Sequence, residues 1–465
     1  MTLTVLSDDQ VSSIFESLSL EELEEFRHVL ASALHEFSTG SQVDGADAFQ
    51  QPHRITTQHP ESKATTLYMP SCGPEGMGCK VVSLTTSAAM QDPSVKPISP
   101  TGVVNLFSPG GELTGVVHAS TLTAFRTALG SACLVSRRNH VRDITVFGSG
   151  SQAYWHVRLA LMMRGSTVRH VYIINHRFSE SAGLILKKFS VIPQDVKERE
   201  GWANAKFSIL TPSFHEFDRL QKEYIRASDV IYCCTPSRKE LFDAHILTNH
   251  EGRKKGRLVV AVGSFTPEMR ELPEALLHQV TKHNHDKHDK PHRHFHKHAE
   301  EGGVIVVDTL EGVLKEAGEI IAAKIPATHL VELGELVMLH RLRVEESEAE
   351  ASASDATSEF ERTDTTDSGS AMSSVYGNQI SRPASPASST SSNHKSTFHL
   401  PFRTKSGSSS DQGEKKKKED HMVRWLRDGT VLYKSVGLGL MDLVVGTHLI
   451  NVAAKKNVGT RIEGF

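Results

Sequence analysis

The sequence predicts an α/β fold: a doubly wound parallel sheet joined to a discontinuous α+β domain. Three observations carry this expectation. From about residue 120, short apolar runs alternate with stretches of helical periodicity, the pattern of βαβ units. Residues 64 to 118 hold short β-prone runs parted by Gly, Pro and Ser, which read as an antiparallel sheet. A folded stretch returns near the C-terminus after a long polar segment, so the tail must pack back onto earlier elements.

Taken in order, two helices are expected to open the chain. In the second, Ser19 and Glu22 have capping-box spacing ahead of "LEEFRHVLASALHEF", as an amphipathic surface helix would. The strands "TTLYMPS", "CKVVSLTT", "GVVNLFS" and "TGVVHAS" follow, with "PGGE" turning between the last two. The helix "TLTAFRTALGSACLVS" then leads to the strand "DITVFG", the helix "QAYWHVRLALMMR", the strand "HVYIIN" and the helix "SESAGLILKKF". Further strands are expected at "FSILT", "DVIYCC", "RLVVAVG" and "GVIVVD". The tail "TVLYKSVGLGLMDLVVGTHLINVAAKK" reads as strand, glycine turn and helix.

Two insertions interrupt this order. Residues 282 to 301 hold seven histidines between 283 and 298. "HNHDKH" has donors for a transition metal, but without a closing strand or cysteine it reads as a polar insertion, and no metal site is assigned. Residues 345 to 420, rich in Ser, Thr and charge, have too little apolar surface to order themselves. Ser381 and Ser385, before Arg382 and Pro386, are candidate phosphorylation sites.

Composition narrows the partners. A net charge of -3 over 465 residues gives no general pull toward nucleic acid or an anionic membrane. Five cysteines in so long a chain are no disulfide framework and suit a reducing compartment. "MTLTVLSDDQ" lacks the basic and apolar regions of a secretory signal. "VGLGLMDLVVGTHLINVAA" is broken by glycine and carries Asp442 and His448, which argues against a membrane span. The expectation is a cytoplasmic protein with neither nucleic acid nor membrane as partner.

The most informative stretch is Gly148-Ser149-Gly150-Ser151-Gln152-Ala153, set between an expected strand and an expected helix. Gly148 permits a tight turn, Gly150 lets backbone approach a pyrophosphate, and Ala153 stands where helix and strand pack closely. Free N–H groups and the helix dipole there favour phosphate. This makes the parallel sheet a Rossmann-type dinucleotide-binding domain; a ligand-free glycine turn is the plain alternative. The next strand ends in Asn175-His176-Arg177, where NAD readers place an acid. Arg can instead pair with a 2′-phosphate, which favours NADP over NAD, unless Arg177 is merely solvated. Thr235 and Pro236, in "CCTPS", are expected beside the nicotinamide ribose.

At this point the chain resembles the ornithine cyclodeaminase/mu-crystallin family. The matching elements are "LTAFRTALGSA", "VFGSGSQA", "INHR", "TPS", "VGSFTPEMREL", "IVVDTLEGVLKEAGEI", "LVELGEL" and "LYKSVGLGLMDL". The resemblance implies a homodimer whose subunits pair a dinucleotide-binding domain with a substrate/dimerisation domain built from both chain ends. The implied layout places residues 1–125 in the substrate/dimerisation domain, 126–325 in the NAD(P)-binding domain, and 326–344 and 421–465 back in the former. The same resemblance puts Arg54, Lys80 and Arg126 in a cationic clamp for the carboxylate of a small amino- or imino-acid substrate. Lys80 is the candidate catalytic residue, able to polarise or protonate the reacting nitrogen or oxygen.

One departure shapes the functional expectation. Family members that cyclise ornithine carry a carboxylate two residues before the proline of "GSFTPEMREL"; here that residue is Phe265. Phenylalanine takes no proton and holds no amine, and Glu271 is expected on the following helix rather than as a substitute base. The favoured reading is therefore an NAD(P)-dependent oxidoreductase, of ketimine reductase or amino-acid dehydrogenase type. An ornithine cyclodeaminase-type lyase with recycled NAD, or an NADPH-dependent ligand-binding protein with little turnover, are the alternatives.

Overall fold

The computed structural model describes residues 2–40, 48–86, 89, 95, 98–282, 302–337 and 422–465. Most of the His-rich insertion and the whole of 345–420, with Ser381 and Ser385, lie outside the described residues. The chain opens with strand β1 (Thr2–Leu6) and helices α1 (Asp8–Glu16) and α2 (Leu20–Gly40). Strands β2 (Ile55–Gln58), β3 (Ala64–Gly73), β4 (Gly76–Thr85), β5 (Thr101–Phe107) and β6 (Leu113–His118) follow. Next come α3 (Ala119–Val135), β7 (Asp143–Phe147), α4 (Ser151–Arg164), β8 (His170–Ile174) and α5 (Glu180–Val191). Helix α6 (Gln194–Arg199), β9 (Lys206–Leu210), α7 (Phe217–Ala227), β10 (Val230–Cys233), α8 (His245–Thr248), β11 (Leu258–Ala261) and α9 (Glu274–Val280) continue the alternation. The last elements are β12 (Ile305–Val307), α10 (Leu310–Glu316), α11 (Gly318–Ala322), β13 (Leu330–Glu332), α12 (Leu333–Val337), α13 (422–428), β14 (Val431–Lys434), α14 (Gly439–Lys455) and β15 (Thr460–Glu463).

The first sheet runs β15-β1-β6-β5-β4-β3-β2 and is antiparallel from β2 to β6. Its opening strand corrects the expectation that helices begin the chain. "TLTVL" is too short and too β-branched to be the start of a helix; it lies parallel to β6 and antiparallel to β15. The expected capping box closes on α2, where Ser19 N–H donates to Glu22 Oε2 at 2.9 Å and Glu22 N–H to Ser19 Oγ at 3.2 Å. A second, unforeseen box of Ser7 and Gln10 starts α1.

Strand alternation gives this sheet one inner face. Met69, Lys80, Val104 and Val117 stand opposite one another in one row, all buried, facing the side on which α3 and α14 pack. That row places a lysine among apolar neighbours. Beneath it, Phe15 stacks on Phe125 at 3.7 Å, with Phe26 and Trp155 edge-on. These rings lock α1, α2, α3 and α4 together, each fully buried aromatic contributing on the order of 1.5–3 kcal/mol.

The second sheet is parallel throughout, in the order β13-β12-β14-β11-β10-β7-β8-β9. The chain winds outward one way through β7, β8 and β9, then restarts at β10 on the other side of β7. This is the doubly wound arrangement with its switch point between β7 and β10, where a crevice opens at the carboxyl ends of the strands. β14 departs from the expected layout. It comes from 421–465, assigned above wholly to the substrate domain, yet it runs between β11 and β12. All four residues of "VLYK" are buried, as a strand covered on both faces requires. β13, from 326–344, likewise forms an edge of this sheet, and the expected boundary at 125/126 falls inside α3. Among the described residues, no helix is long and apolar enough to cross a membrane.

Candidate active site

The glycine loop sits at the switch point. Gly148 has φ +105°, and a Cβ there would lie 2.8 Å from the Cys234 carbonyl oxygen, so only glycine fits. Gly150 caps α4, and a Cβ built on it would meet nothing within 4 Å. The space over the loop is open. Tyr154 N–H is the first to close a helical bond, onto Gly150 O. Ser151, Gln152 and Ala153 thus present N–H groups at the positive end of a 14-residue helix. Ala153 is fully buried, as expected for the helix–sheet contact.

At the end of β8 the side chain of Asn175 donates to Ser149 Oγ at 3.1 Å and Ser179 Oγ at 3.4 Å. Ser181 joins Ser149 and Ser179, each at 2.9 Å. His176 and Arg177 are exposed, and none of the described residues pairs with Arg177. A hydroxyl cluster and a free guanidinium therefore stand together beside the start of α5. No acid closes the strand itself.

Thr235 lies at the end of β10, half-buried, with Pro236 exposed beside it. Its N–H and Oγ donate to Glu271 Oε1 at 2.7 and 3.0 Å. The other oxygen of Glu271 accepts from Gly263 N–H at 2.7 Å and Ser264 N–H at 3.1 Å. The expectation that Glu271 lies on a helix is corrected: α9 begins only at Glu274, after Pro273. Glu271 is instead a fully buried brace between the ends of β10 and β11. Burial pushes its carboxyl up to about 7, against the pull of Lys434 and its N–H donors.

The cationic residues, scattered in sequence, are brought together. Lys80 rises from the inner face of β4 and Arg126 from α3, 4 % and 3 % exposed. Asp442, in the first turn of α14, accepts from Lys80 Nζ at 2.6 Å on one oxygen and from Arg126 Nε at 3.1 Å on the other. Arg54, just before β2, is ion-paired with Glu316 of α10 and donates to Val436 O at 3.3 Å. Burial lowers Lys80 to about 8; Asp442 opposes this, while Arg126 and Arg54 reinforce it. Gly437 makes room: its φ is +88°, and a Cβ there would stand 3.0 Å from both Nη atoms of Arg126. Asp308 holds that turn, accepting from Ser435 Oγ at 2.7 Å, Val436 N–H at 3.0 Å and Gly437 N–H at 2.7 Å.

The cluster is therefore partly neutralised by the protein itself, which the sequence reading did not foresee. Asp442 and Glu316 were missed because their partners are hundreds of residues away in sequence. The quoted motifs "LYKSVGLGLMDL" and "IVVDTLEGVLKEAGEI" contain both, and that is the only signal they left. Arg126 still has donor capacity to spare: beyond Asp442 its guanidinium meets only the Met441 sulfur, at 3.5 Å, among the described residues. Phe265 is half-buried in the loop after β11.

Fold and loop together define a Rossmann-type α/β protein whose antiparallel sheet carries a buried cation cluster on one face. No family model matches the chain. An uncharacterised protein of Saccharomyces cerevisiae is 24% identical over 358 residues, covering 72% of this chain and 86% of that protein. A Delta(1)-pyrroline-2-carboxylate reductase of Bacillus cereus is 26% identical over 315 residues, 67% of this chain and 78% of the relative. Among solved structures, the Thermococcus litoralis Delta(1)-pyrroline-2-carboxylate reductase in complex with NADH and L-proline superposes with a TM-score of 0.59 at 17% identity, over 99% of this chain and 100% of that one. A probable ornithine cyclodeaminase from Bordetella pertussis gives 0.56 at 16% identity, over 98% and 99%. The likeness to the ornithine cyclodeaminase/mu-crystallin family read from the motifs is borne out.

Proposed function

We propose that the protein is an NAD(P)-dependent oxidoreductase acting on a small α-imino or α-amino acid. The observation that carries this reading is the only partly neutralised cluster of buried Lys80 and Arg126 with half-buried Arg54, with unfilled donors on Arg126. A buried cation without full pairing calls for an anion, and a guanidinium grips a carboxylate well. The coenzyme's fit rests on the open space over Gly150 and the free N–H groups of residues 151–153; when bound, it supplies or accepts the hydride.

The chain's own residues do the rest. Arg126 and Arg54 hold the substrate carboxylate and so orient the α-carbon toward the crevice. Lys80, as an ammonium, gives the proton that the imine nitrogen gains when the α-carbon gains hydride. In the oxidative direction the neutral amine takes that proton back. Phe265 offers no base for a side-chain amine, which favours this chemistry over cyclodeamination.

NADP is proposed as the preferred coenzyme. Arg177 and the hydroxyls of Ser149, Ser179 and Ser181 make a suitable seat for a 2′-phosphate, with Asn175 and His176 framing it. A homodimer is proposed through the outer face of the antiparallel sheet, where Tyr68, Val81, Val103, Phe107 and Val116 are only half-buried. The five free cysteines support a reducing, cytoplasmic setting.

The test is a panel of cyclic imino acids and amino acids, followed by NADPH oxidation or NADP reduction, with Lys80→Ala as control. Turnover lost in the variant supports the reading. Ammonia release from ornithine with bound NAD would replace it with the lyase, and tight NADPH binding without turnover with the ligand binder.

A further inference from the structure

Glu271 is a buried acid that the mechanism above does not use, and its four partners are unequal. Three are backbone N–H groups, of Thr235, Gly263 and Ser264, which can only donate to it. The fourth is the Thr235 hydroxyl, at 3.0 Å, which can donate or accept. A proton on Glu271 therefore has one place to go among these contacts. When Glu271 is ionised, Thr235 Oγ–H points into the carboxylate and turns its lone pairs outward. When Glu271 is protonated, Thr235 Oγ accepts and its own hydrogen is free to point elsewhere.

Thr235 is fixed where this matters. Cβ atoms built on Gly148 and Gly263 would stand 3.2 Å from its Cγ2 and 2.2 Å from its carbonyl oxygen. It is thus wedged between the phosphate loop and the end of β11, half-buried at the switch-point crevice. The groups around Glu271 leave room for a proton. Ser264 Oγ donates to Glu319 at 2.7 Å and accepts from Lys434 Nζ at 2.6 Å, and Lys434 pairs with Glu319 at 3.2 Å. Two carboxylates thus share one ammonium in a region closed to water. The remaining titratable neighbours, Cys233 and Cys234, are thiols that burial pushes far up, so they stay neutral.

We propose that Glu271 is a positioning residue that sets the direction of the Thr235 hydroxyl hydrogen, and so decides whether Thr235 offers a bound coenzyme a donor or an acceptor. The proposal rests on the reading that the crevice holds a nicotinamide coenzyme. It makes coenzyme affinity depend on pH near neutrality, where burial places the Glu271 carboxyl.

The experiment measures the Kd of NADH, which lacks the 2′-phosphate that itself titrates at about pH 6, by fluorescence titration across pH, for the wild type, Glu271→Gln and Thr235→Val. Wild-type Kd should change by about threefold or more between about pH 6 and about pH 8. Both variants should lose that slope, whatever their affinity at one pH. Valine keeps the shape of threonine and removes only the hydroxyl, so Thr235→Val decides the matter even where Glu271→Gln fails to fold. A merely structural brace would shift Kd equally at every pH. A wild-type slope retained in Thr235→Val, or a flat wild type, overturns the proposal while leaving the coenzyme reading intact. No NADPH or NADH binding at any pH overturns both.

Discussion

Asp442 holds Lys80 on one carboxylate oxygen and Arg126 on the other, at 2.6 and 3.1 Å, with all three side chains buried. One acid on α14 thus fixes two cations from β4 and α3, joining the returning tail to the antiparallel sheet. Asp442→Asn leaves both cations buried and facing each other. It should cost about 3–5 kcal/mol, the scale for breaking a buried ion pair from one side, read as a lowered midpoint in urea unfolding. A loss under about 1 kcal/mol would mean that water reaches the cluster freely.

The rate of imine reduction should follow the protonation of Lys80. Burial brings its ammonium down to about 8. Protonated below that value, it can donate; the rate should be level at lower pH and fall about tenfold per pH unit above the break. Asp442 raises the Lys80 value, so in any folded Asp442→Asn protein the break moves to lower pH. The check is the pH profile of kcat for the wild type and the variant.

Arg177 stands exposed beside the serine cluster. Arg177→Ala should weaken NADPH about tenfold at low salt and leave NADH nearly unchanged, with the difference shrinking as salt screens the contact. Equal losses for the two coenzymes would place the 2′-phosphate elsewhere.

Gly437 gives Arg126 its space. Gly437→Ala forces a side chain into a left-handed conformation, at roughly 1–2 kcal/mol, and presses it against the guanidinium. KM for the imino acid should rise about tenfold or more while the NADPH Kd holds, because Gly437 lies beside the cation cluster rather than the phosphate loop. Steady-state kinetics with a parallel coenzyme titration separates the two.

Much of the fold was legible because its signals are local. The alternation from residue 120 onward, the "PGGE" turn and the Ser19–Glu22 box each depend on neighbours within a few residues, and each stands where expected. What escaped was long-range. β1 is five residues that gain meaning only beside β6 and β15. "VLYK" reads as a strand, but nothing local says that it slots between β11 and β12. In the candidate site, Arg54, Lys80 and Arg126 were singled out by resemblance. Their counter-ions, Glu316 and Asp442, pair across 262, 362 and 316 residues and left no pattern of their own. Glu271 was misplaced because its helix starts only after Pro273, whose missing N–H suits the beginning of a helix rather than its interior.

The central claim is that hydride moves between a nicotinamide held over the Gly148–Ala153 loop and a carbon held beside Lys80. The most direct measurement is isotope transfer: the enzyme is given NADPH with both hydrogens at the nicotinamide C4 replaced by deuterium and a small cyclic imino acid, and the product is read by mass spectrometry. The account predicts deuterium on the α-carbon of the amino acid, and none with Lys80→Ala. A product formed without the label, or no product from any imino acid while the coenzyme is tightly bound, would contradict it.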